Sequence, residues 1–341
     1  MRALSTLYVR DHRARVGLQQ RALVVSVGQA KTRVPLEAID GVVLLGSGQV
    51  TTEALGACVK RGVRVASMQR DGRLRFVVGG PVSGNVHLRI AQLTAATEPQ
   101  RAAAISRWVV AGKLQNYRRL LARWSWDAQG IHKANLVEQA EVIAVRLSSL
   151  GGATDGDKIR GLEGDGTRRY FKGLAAQLAS TRAGLYFGGR NRRPPRDPVN
   201  ALLSYLYGLV LVEVVGALDA LGLDPQIGYL HGVRPGRPSL ALDLLEEFRP
   251  SIADRLAVRL ITRREVRPGH FVTTAGGACY LSDDGRERVV RAYEAFKEEE
   301  VPHPLLGRTV PRWSLPATQA TLMARHLRGD LPVYPPYVMA P

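Results

Sequence analysis

Gly228-Tyr229-Leu230-His231, a loop over 232–236, and then Arg237-Pro238-Ser239-Leu240-Ala241-Leu242-Asp243-Leu244-Leu245-Glu246-Glu247-Phe248-Arg249-Pro250 form the stretch on which the reading of this 341-residue chain turns. Two glycines and two prolines separate His231 from Ser239, so the chain turns sharply there. Ser239 offers a capping side chain for a helix, and Pro250 predicts that the helix stops just before it. On a wheel of about 100° per residue, Ser239, Asp243, Glu246 and Glu247 share one narrow face. Leu240, Ala241, Leu242, Leu244, Leu245 and Phe248 spread over roughly 200° of the remainder, wider than the stripe of a surface helix. The spacing predicts a mostly buried helix that carries three carboxylates side by side. Buried like charges are costly unless they are paired or bound to a cation. Two readings stay open from these residues alone: an acidic strip that faces solvent or pairs with Arg237, Arg249 and Arg255, or a cation site.

Upstream, helical periodicity begins near Gln100. Apolar residues recur at helical spacing over 105–124, with Lys113, Arg118, Arg119 and Arg123 on other faces, and again over 136–150 and 160–179. Glu163 lies between Gly161 and Gly164, and Arg168-Arg169-Tyr170-Phe171 follows; the glycines leave room for close approach of a ligand or backbone. Gly188-Gly189-Arg190-Asn191-Arg192-Arg193-Pro194-Pro195-Arg196 is an arginine-rich loop stiffened by proline, suited to clamping phosphate, or else simply solvated. Asp197-Pro198 opens a helix that runs to Gly222, with the carboxylate as cap and proline in the first turn. Downstream, Ser282 or Asp283 opens another through Val290 and Tyr293.

The first eighty residues read differently. Short runs at 5–9, 15–19, 22–27, 41–45, 63–68 and 74–78 predict strands, the last two joined at Asp71-Gly72. One helix interrupts them, capped by Thr51 or Thr52 and stopped by Gly62. The fold expected is α+β: a small N-terminal β domain with one helix (1–80), a linker (81–99), an all-α catalytic domain (100–300), and a C-terminal segment with a proline-rich tail lying extended (301–341).

Lys and Arg outnumber Asp and Glu by 48 to 30, a net +18, which favours phosphate polyanions or anionic membranes. Cys58 and Cys279 lie too far apart in sequence for a cysteine zinc motif and do not make a disulfide scaffold. The chain opens without an apolar signal core, and its most apolar stretch, 207–223, is broken by Glu213 and Asp219. A cytoplasmic protein with no membrane span is expected.

In order, several segments resemble the CRISPR-associated spacer-acquisition integrase family, the catalytic subunit of CRISPR adaptation. They are Arg160-Gly161-Leu162-Glu163-Gly164 with Arg169-Tyr170-Phe171, then Arg193-Pro194-Pro195-Arg196-Asp197-Pro198-Val199-Asn200-Ala201-Leu202-Leu203-Ser204-Tyr205, then Gly228-Tyr229-Leu230-His231, then 237–250. The likeness covers nearly the whole chain. Asp165-Gly166 departs from the small apolar residues more usual there and leaves the local helix in question. The resemblance implies metal ligands at Glu163, His231 and Glu246, with Asp243 beside the ion or sharing it and Glu247 structural. One imidazole with carboxylates suits Mg²⁺ or Mn²⁺. It further implies a DNA endonuclease and integrase that inserts captured fragments into a repeat array. Family members act on double-stranded DNA as a homodimer on a small ferredoxin-like adaptation subunit, in some systems with an additional nuclease. Arg168, Arg169, Arg190, Arg192 and Arg193 are the candidates for DNA-backbone contacts. Two rivals stand beside this reading: a strand-transfer enzyme forming a tyrosyl-DNA link through Tyr170, and a DNA-binding scaffold without chemistry.

Overall fold

The computed structural model describes residues 5–69, 71–80, 85–181, 184–191 and 194–340. The chain divides into two compact units, Met1–Ser83 and Gly84–Pro341.

The first unit contains β1 (Ser5–Val9), β2 (Arg15–Gln19), β3 (Ala22–Val27), β4 (Ala30–Pro35), β5 (Ile39–Leu45), β6 (Gln49–Val50), α1 (Thr52–Lys60), β7 (Arg64–Met68) and β8 (Leu74–Val78). They form two four-stranded sheets, in orders β1-β5-β7-β8 and β4-β3-β2-β6. Val16 and Leu23 from one sheet, Val42 and Val65 from the other, and Ala54 and Cys58 of α1 share one core. Thr51 caps α1 by accepting from the Ala54 N–H at 3.2 Å, and Gly62 follows its end at φ +72°. The sequence pattern misses β4 because that edge strand is exposed almost throughout, so no inward-outward alternation marks it.

The second unit is built on α2 (Val86–Thr97), α3 (Pro99–Asp127), α4 (Gly130–Leu150), α5 (Gly156–Ser180), α6 (Pro198–Leu221), α7 (Ser239–Phe248), α8 (Arg255–Thr262), α9 (Asp283–Glu298) and α10 (Leu315–Leu327). It is not all-α. Two antiparallel pairs interrupt it, β9 (Phe271–Thr273) with β10 (Cys279–Leu281) and β11 (Glu300–His303) with β12 (Arg308–Pro311). Nor is 81–99 simply a linker, since α2 occupies most of it. Its buried positions Leu88, Gln92 and Ala95 have helical spacing, but a glutamine in the stripe hides the period. That glutamine donates to the Asp224 and Ile227 carbonyls at 2.8 and 2.9 Å.

Long helices α3, α4 and α5 pack on one another. Helix α5 continues unbroken through Asp165-Gly166, the position the family resemblance left in question. A Cβ at Gly166 or Gly173 would strike Leu114 or Leu121 of α3, so these glycines allow the close approach of the two helices. Asp197 caps α6, accepting from the Asn200 N–H at 2.9 Å, and Gly222 ends it in the left-handed conformation. Among the described residues α6 is the one helix long and apolar enough to cross a membrane, and 78% of its most apolar window is buried inside the protein. Its Glu213 is paired with Lys297 at 2.7 Å.

Two expectations about the acidic helix need correction. Pro238, not Ser239, stands at the cap position of α7, and the Ser239 hydroxyl donates to the Gly232 carbonyl at 3.2 Å. Pro250 does not end the helical path either: Arg249–Asp254 forms a π-helical turn that leads directly into α8. The wider turn accommodates a residue that has no N–H to donate.

Residues 332–340 lack regular structure, as the prolines predict, but they are no free tail. Tyr334, Tyr337 and Met339 are buried. Asn116 of α3 donates to the Tyr337 carbonyl at 2.9 Å and accepts from the Met339 N–H at 2.8 Å. Glu247 accepts from the Tyr334 hydroxyl at 2.6 Å, the Tyr337 N–H at 2.7 Å and Gln319 at 3.0 Å. Burial pushes the Glu247 carboxyl up to about 8 against these hydrogen bonds, which favour its charged form. Glu247, which the resemblance implied to be structural, is engaged by these three donors.

Candidate active site

Three separate stretches meet beside α7. Asp243, on its first full turn, is completely buried and faces the loop that precedes the helix. Its carboxylate accepts from the N–H groups of Tyr229 at 2.7 Å, Leu230 at 3.1 Å and His231 at 2.9 Å, which folds the loop around it. Gly228 makes the approach possible, because a Cβ there would fall 2.6 Å from the Ser239 carbonyl carbon. Asp243 also lies 2.7 Å from His231 Nδ1. A carboxylate can only accept, so Nδ1 carries a proton, and in the neutral ring the lone pair is then on Nε2. That nitrogen lies 3.8 Å from Glu246 Oε1.

Glu246, one turn further along α7, is only 2% exposed. Arg249 meets its Oε1 at 2.9 Å and Lys113 its Oε2 at 2.6 Å. Burial works to raise the Glu246 carboxyl, but Arg249, Lys113 and His231 outweigh it and hold it at about 2. Glu163 enters from α5. Its Oε1 accepts from Thr167 at 2.9 Å and forms an ion pair with Lys113. Around Glu163, Gly161 and Gly164 face open space and not a packed backbone, which leaves that side accessible. The carboxylates of Glu163 and Glu246 thus converge on one cationic point, with His231 alongside.

In donor type, two carboxylates and one imidazole suit a hard divalent ion. As the side chains stand, no three of His, Cys, Asp and Glu among the described residues close around a common point tightly enough to hold a metal. The point toward which Glu163 and Glu246 turn is taken by the Lys113 ammonium.

The solvent-facing reading of the acidic strip fails, because Asp243, Glu246 and Glu247 are all buried. Of its three suggested arginine partners, Arg249 pairs with Glu246, while Arg237 turns to the Gly232 carbonyl. Asp243 does not share the converging point, since its two oxygens are engaged by the loop and by His231. Tyr170 cannot serve as a nucleophile. It is fully buried, stacks on Tyr117 with centroids 3.7 Å apart, and donates to Asp254 at 2.9 Å. Burial and the Asp254 charge push its hydroxyl well above the usual tyrosine range.

The basic candidates separate. Arg168 is exposed on α5 and Arg169 is half-buried; both approach Asp165, at 3.4 and 3.9 Å. Arg190 is spent on α6: its guanidinium reaches Asn200 at 2.6 Å and Ser204 at 3.0 Å and lies over the Tyr207 ring. Arg192 and Arg193 lie outside the described residues. Sequence reasoning missed Lys113 as a site residue by grouping it with the arginines off the apolar stripe. The available signal was its helical spacing from Val109, Val110 and Tyr117, all buried with it on α3.

Residues 7–295 match the family model described as CRISPR associated protein Cas1. The CRISPR-associated endonuclease Cas1 1 of Moorella thermoacetica is 41% identical over 337 residues, covering 98% of each chain. A solved Cas1 protein from Thermotoga maritima shares the fold with a TM-score of 0.82 at 20% identity, over 99% of each chain. A casposase bound to its integration product also reaches 0.82, at 22% identity over 96% of this chain and 91% of its own. A family match across most of the sequence, a relative alike from end to end and a shared architecture agree: the chain belongs to the Cas1 family of CRISPR-associated proteins.

Proposed function

We propose that the chain is a metal-dependent DNA endonuclease and integrase that inserts captured DNA fragments into a CRISPR array by 3′-hydroxyl attack on phosphodiesters. The observation that carries this reading is the convergence of Glu163 and Glu246, from helices 83 residues apart in sequence, on one cationic point beside His231 Nε2. The name of the Moorella relative and the integration product held by the structurally similar casposase support the reaction class.

Glu163 and Glu246 would supply oxygen ligands and His231 its Nε2 to Mg²⁺ or Mn²⁺. A divalent ion at the scissile phosphate offsets its charge and favours both the attacking and the leaving oxygen. Asp243 is a positioning residue that fixes the imidazole tautomer and orientation. Arg249, with Lys113, favours the charged form of the buried Glu246. Arg168 and Arg169, on the same helix as Glu163, are placed to meet the DNA backbone, and the net charge of +18 favours double-stranded DNA. The proposed assembly is a homodimer on a small ferredoxin-like adaptation subunit, with an additional adaptation nuclease in some systems.

The test combines the purified chain, its small partner, a duplex with free 3′ ends and a supercoiled repeat plasmid. Glu163→Ala, His231→Ala and Glu246→Ala are each expected to abolish strand transfer while leaving DNA affinity within a few fold, and EDTA to stop the wild type. Strand transfer that persists in EDTA would overturn the metal route, unchanged strand transfer in all three variants would overturn the assignment of these residues, and DNA binding without strand transfer in the wild type would favour a scaffold.

A further inference from the structure

Lys113 has no part in the reaction above, yet it is buried at the centre of the site. Its side chain is 1% exposed, and both of its ionic partners, Glu163 and Glu246, are assigned as ligands. A buried ammonium is stable only where carboxylates surround it, and the buried Glu246 facing the half-buried Glu163 is stable as a charged pair only with a cation between them. Each side of this contact therefore requires the other.

A separate cation meets each oxygen of Glu246: Arg249 approaches Oε1 at 2.9 Å and Lys113 Nζ approaches Oε2 at 2.6 Å. A lysine ammonium is a compact point charge on a flexible stem, without the fixed fork of a guanidinium, and is the contact of the two that another cation can replace. In the same position Nζ lies 5.5 Å from the centre of the Tyr117 ring on its own helix, whose face attracts cations. Charge balance points the same way. Glu163, Asp243 and Glu246 against Lys113 and Arg249 leave one net negative charge, which a divalent ion would convert into one positive charge facing an anionic phosphodiester.

We propose that Lys113 is a resident counter-cation that occupies the divalent ion's position, so that metal loading is an exchange in which the ammonium leaves the Glu163–Glu246 pair as the ion enters. The inference rests on the metal-dependent reading of the site. It makes Lys113 a determinant of metal affinity: it keeps the acids compensated before loading and weakens the ion's hold afterwards.

Calorimetric Mn²⁺ titration of the full chain tests this, with melting curves in EDTA and in Mn²⁺. Lys113→Met is expected to bind Mn²⁺ about tenfold tighter or more, since a like charge beside the ion is removed. It should melt lower than wild type in EDTA and recover most of that loss in Mn²⁺. Lys113→Gln, which keeps a hydrogen-bonding end, carries the same test if the methionine variant does not fold. A purely structural lysine would lower melting in both conditions and leave Mn²⁺ affinity unchanged or weaker, which overturns the exchange. Wild-type binding without tightening in the variants sinks the exchange alone, whereas absence of Mn²⁺ binding in all three proteins sinks the metal reading with it.

Discussion

In the proposed reaction Asp243 acts through His231, whose Nδ1 it meets at 2.7 Å. Three backbone N–H groups and the imidazole Nδ1 use its carboxylate completely, so a change there alters how the imidazole is presented and leaves the two glutamates in place. Asp243→Asn keeps the shape but presents an amide to Nδ1, which admits the wrong tautomer. It is expected to lower strand-transfer rate or metal affinity about 10- to 100-fold, measured side by side, with most of the fold retained. An unchanged rate would remove the positioning role. Glu163, His231 and Glu246, which the structure brings close to one another, could be picked out in the sequence because each stands in a short pattern that resembles a family motif. Lys113 could not, since a lysine within an amphipathic helix looks like every solvated lysine until a neighbouring helix is seen to cover it. Tyr170 misled for the opposite reason: beside two arginines it reads as a reactive hydroxyl, and packing alone reveals that it is enclosed.

Between α7 and α8 the π-helical turn ends on Asp254, a buried carboxylate that accepts from Tyr207 at 2.6 Å and Tyr170 at 2.9 Å. Burial pushes its carboxyl up to about 6, against the two tyrosine hydrogen bonds and the arginines nearby, which lower it. A folded-state value above the unfolded one means that the folded chain holds the proton longer. The stabilising contribution is complete below about pH 4 and is lost as pH rises through about 6. Across that window wild type is expected to lose stability, on the order of 3 kcal/mol, relative to Asp254→Asn, read as the difference between their melting curves at each pH. Parallel curves from pH 4 to 7 would contradict it. Helices with strong caps, such as α1, α6 and α9, were legible close to their ends because Thr51, Asp197 and Ser282 act locally. The turn after α7 was not. Proline predicts a stop there, and only the packing of the segment in the interior, where Pro250, Ile252 and Ala253 are buried, keeps the path helical.

Across the whole second unit, residues 332–340 lie against α3 and α7, the helices that carry Lys113 and Glu246. Removing the chain from 332 onward takes two of the three donors to Glu247 and both backbone partners of Asn116 in that segment. The loss is expected to be on the order of 3–5 kcal/mol, a fall of about 10 °C in melting temperature. Glu247→Gln in the shortened chain should restore part of it above about pH 8, where the carboxyl would otherwise ionise without those donors. Equal melting of the full and shortened proteins would disprove the latch. The division into a strand-rich and a helix-rich part was readable from the change of apolar period. The place of the last segment was not, because prolines report local extension and say nothing about what the extended chain touches.

The latch also imposes an order of events during synthesis. Tyr334 is translated 87 residues after Glu247, so α7 leaves the ribosome before the segment that supplies two of the three donors to its buried acid. Through that interval the Glu247 carboxyl lacks both the Tyr334 hydroxyl and the Tyr337 N–H, and the end of α7 reaches its final packing only when they arrive.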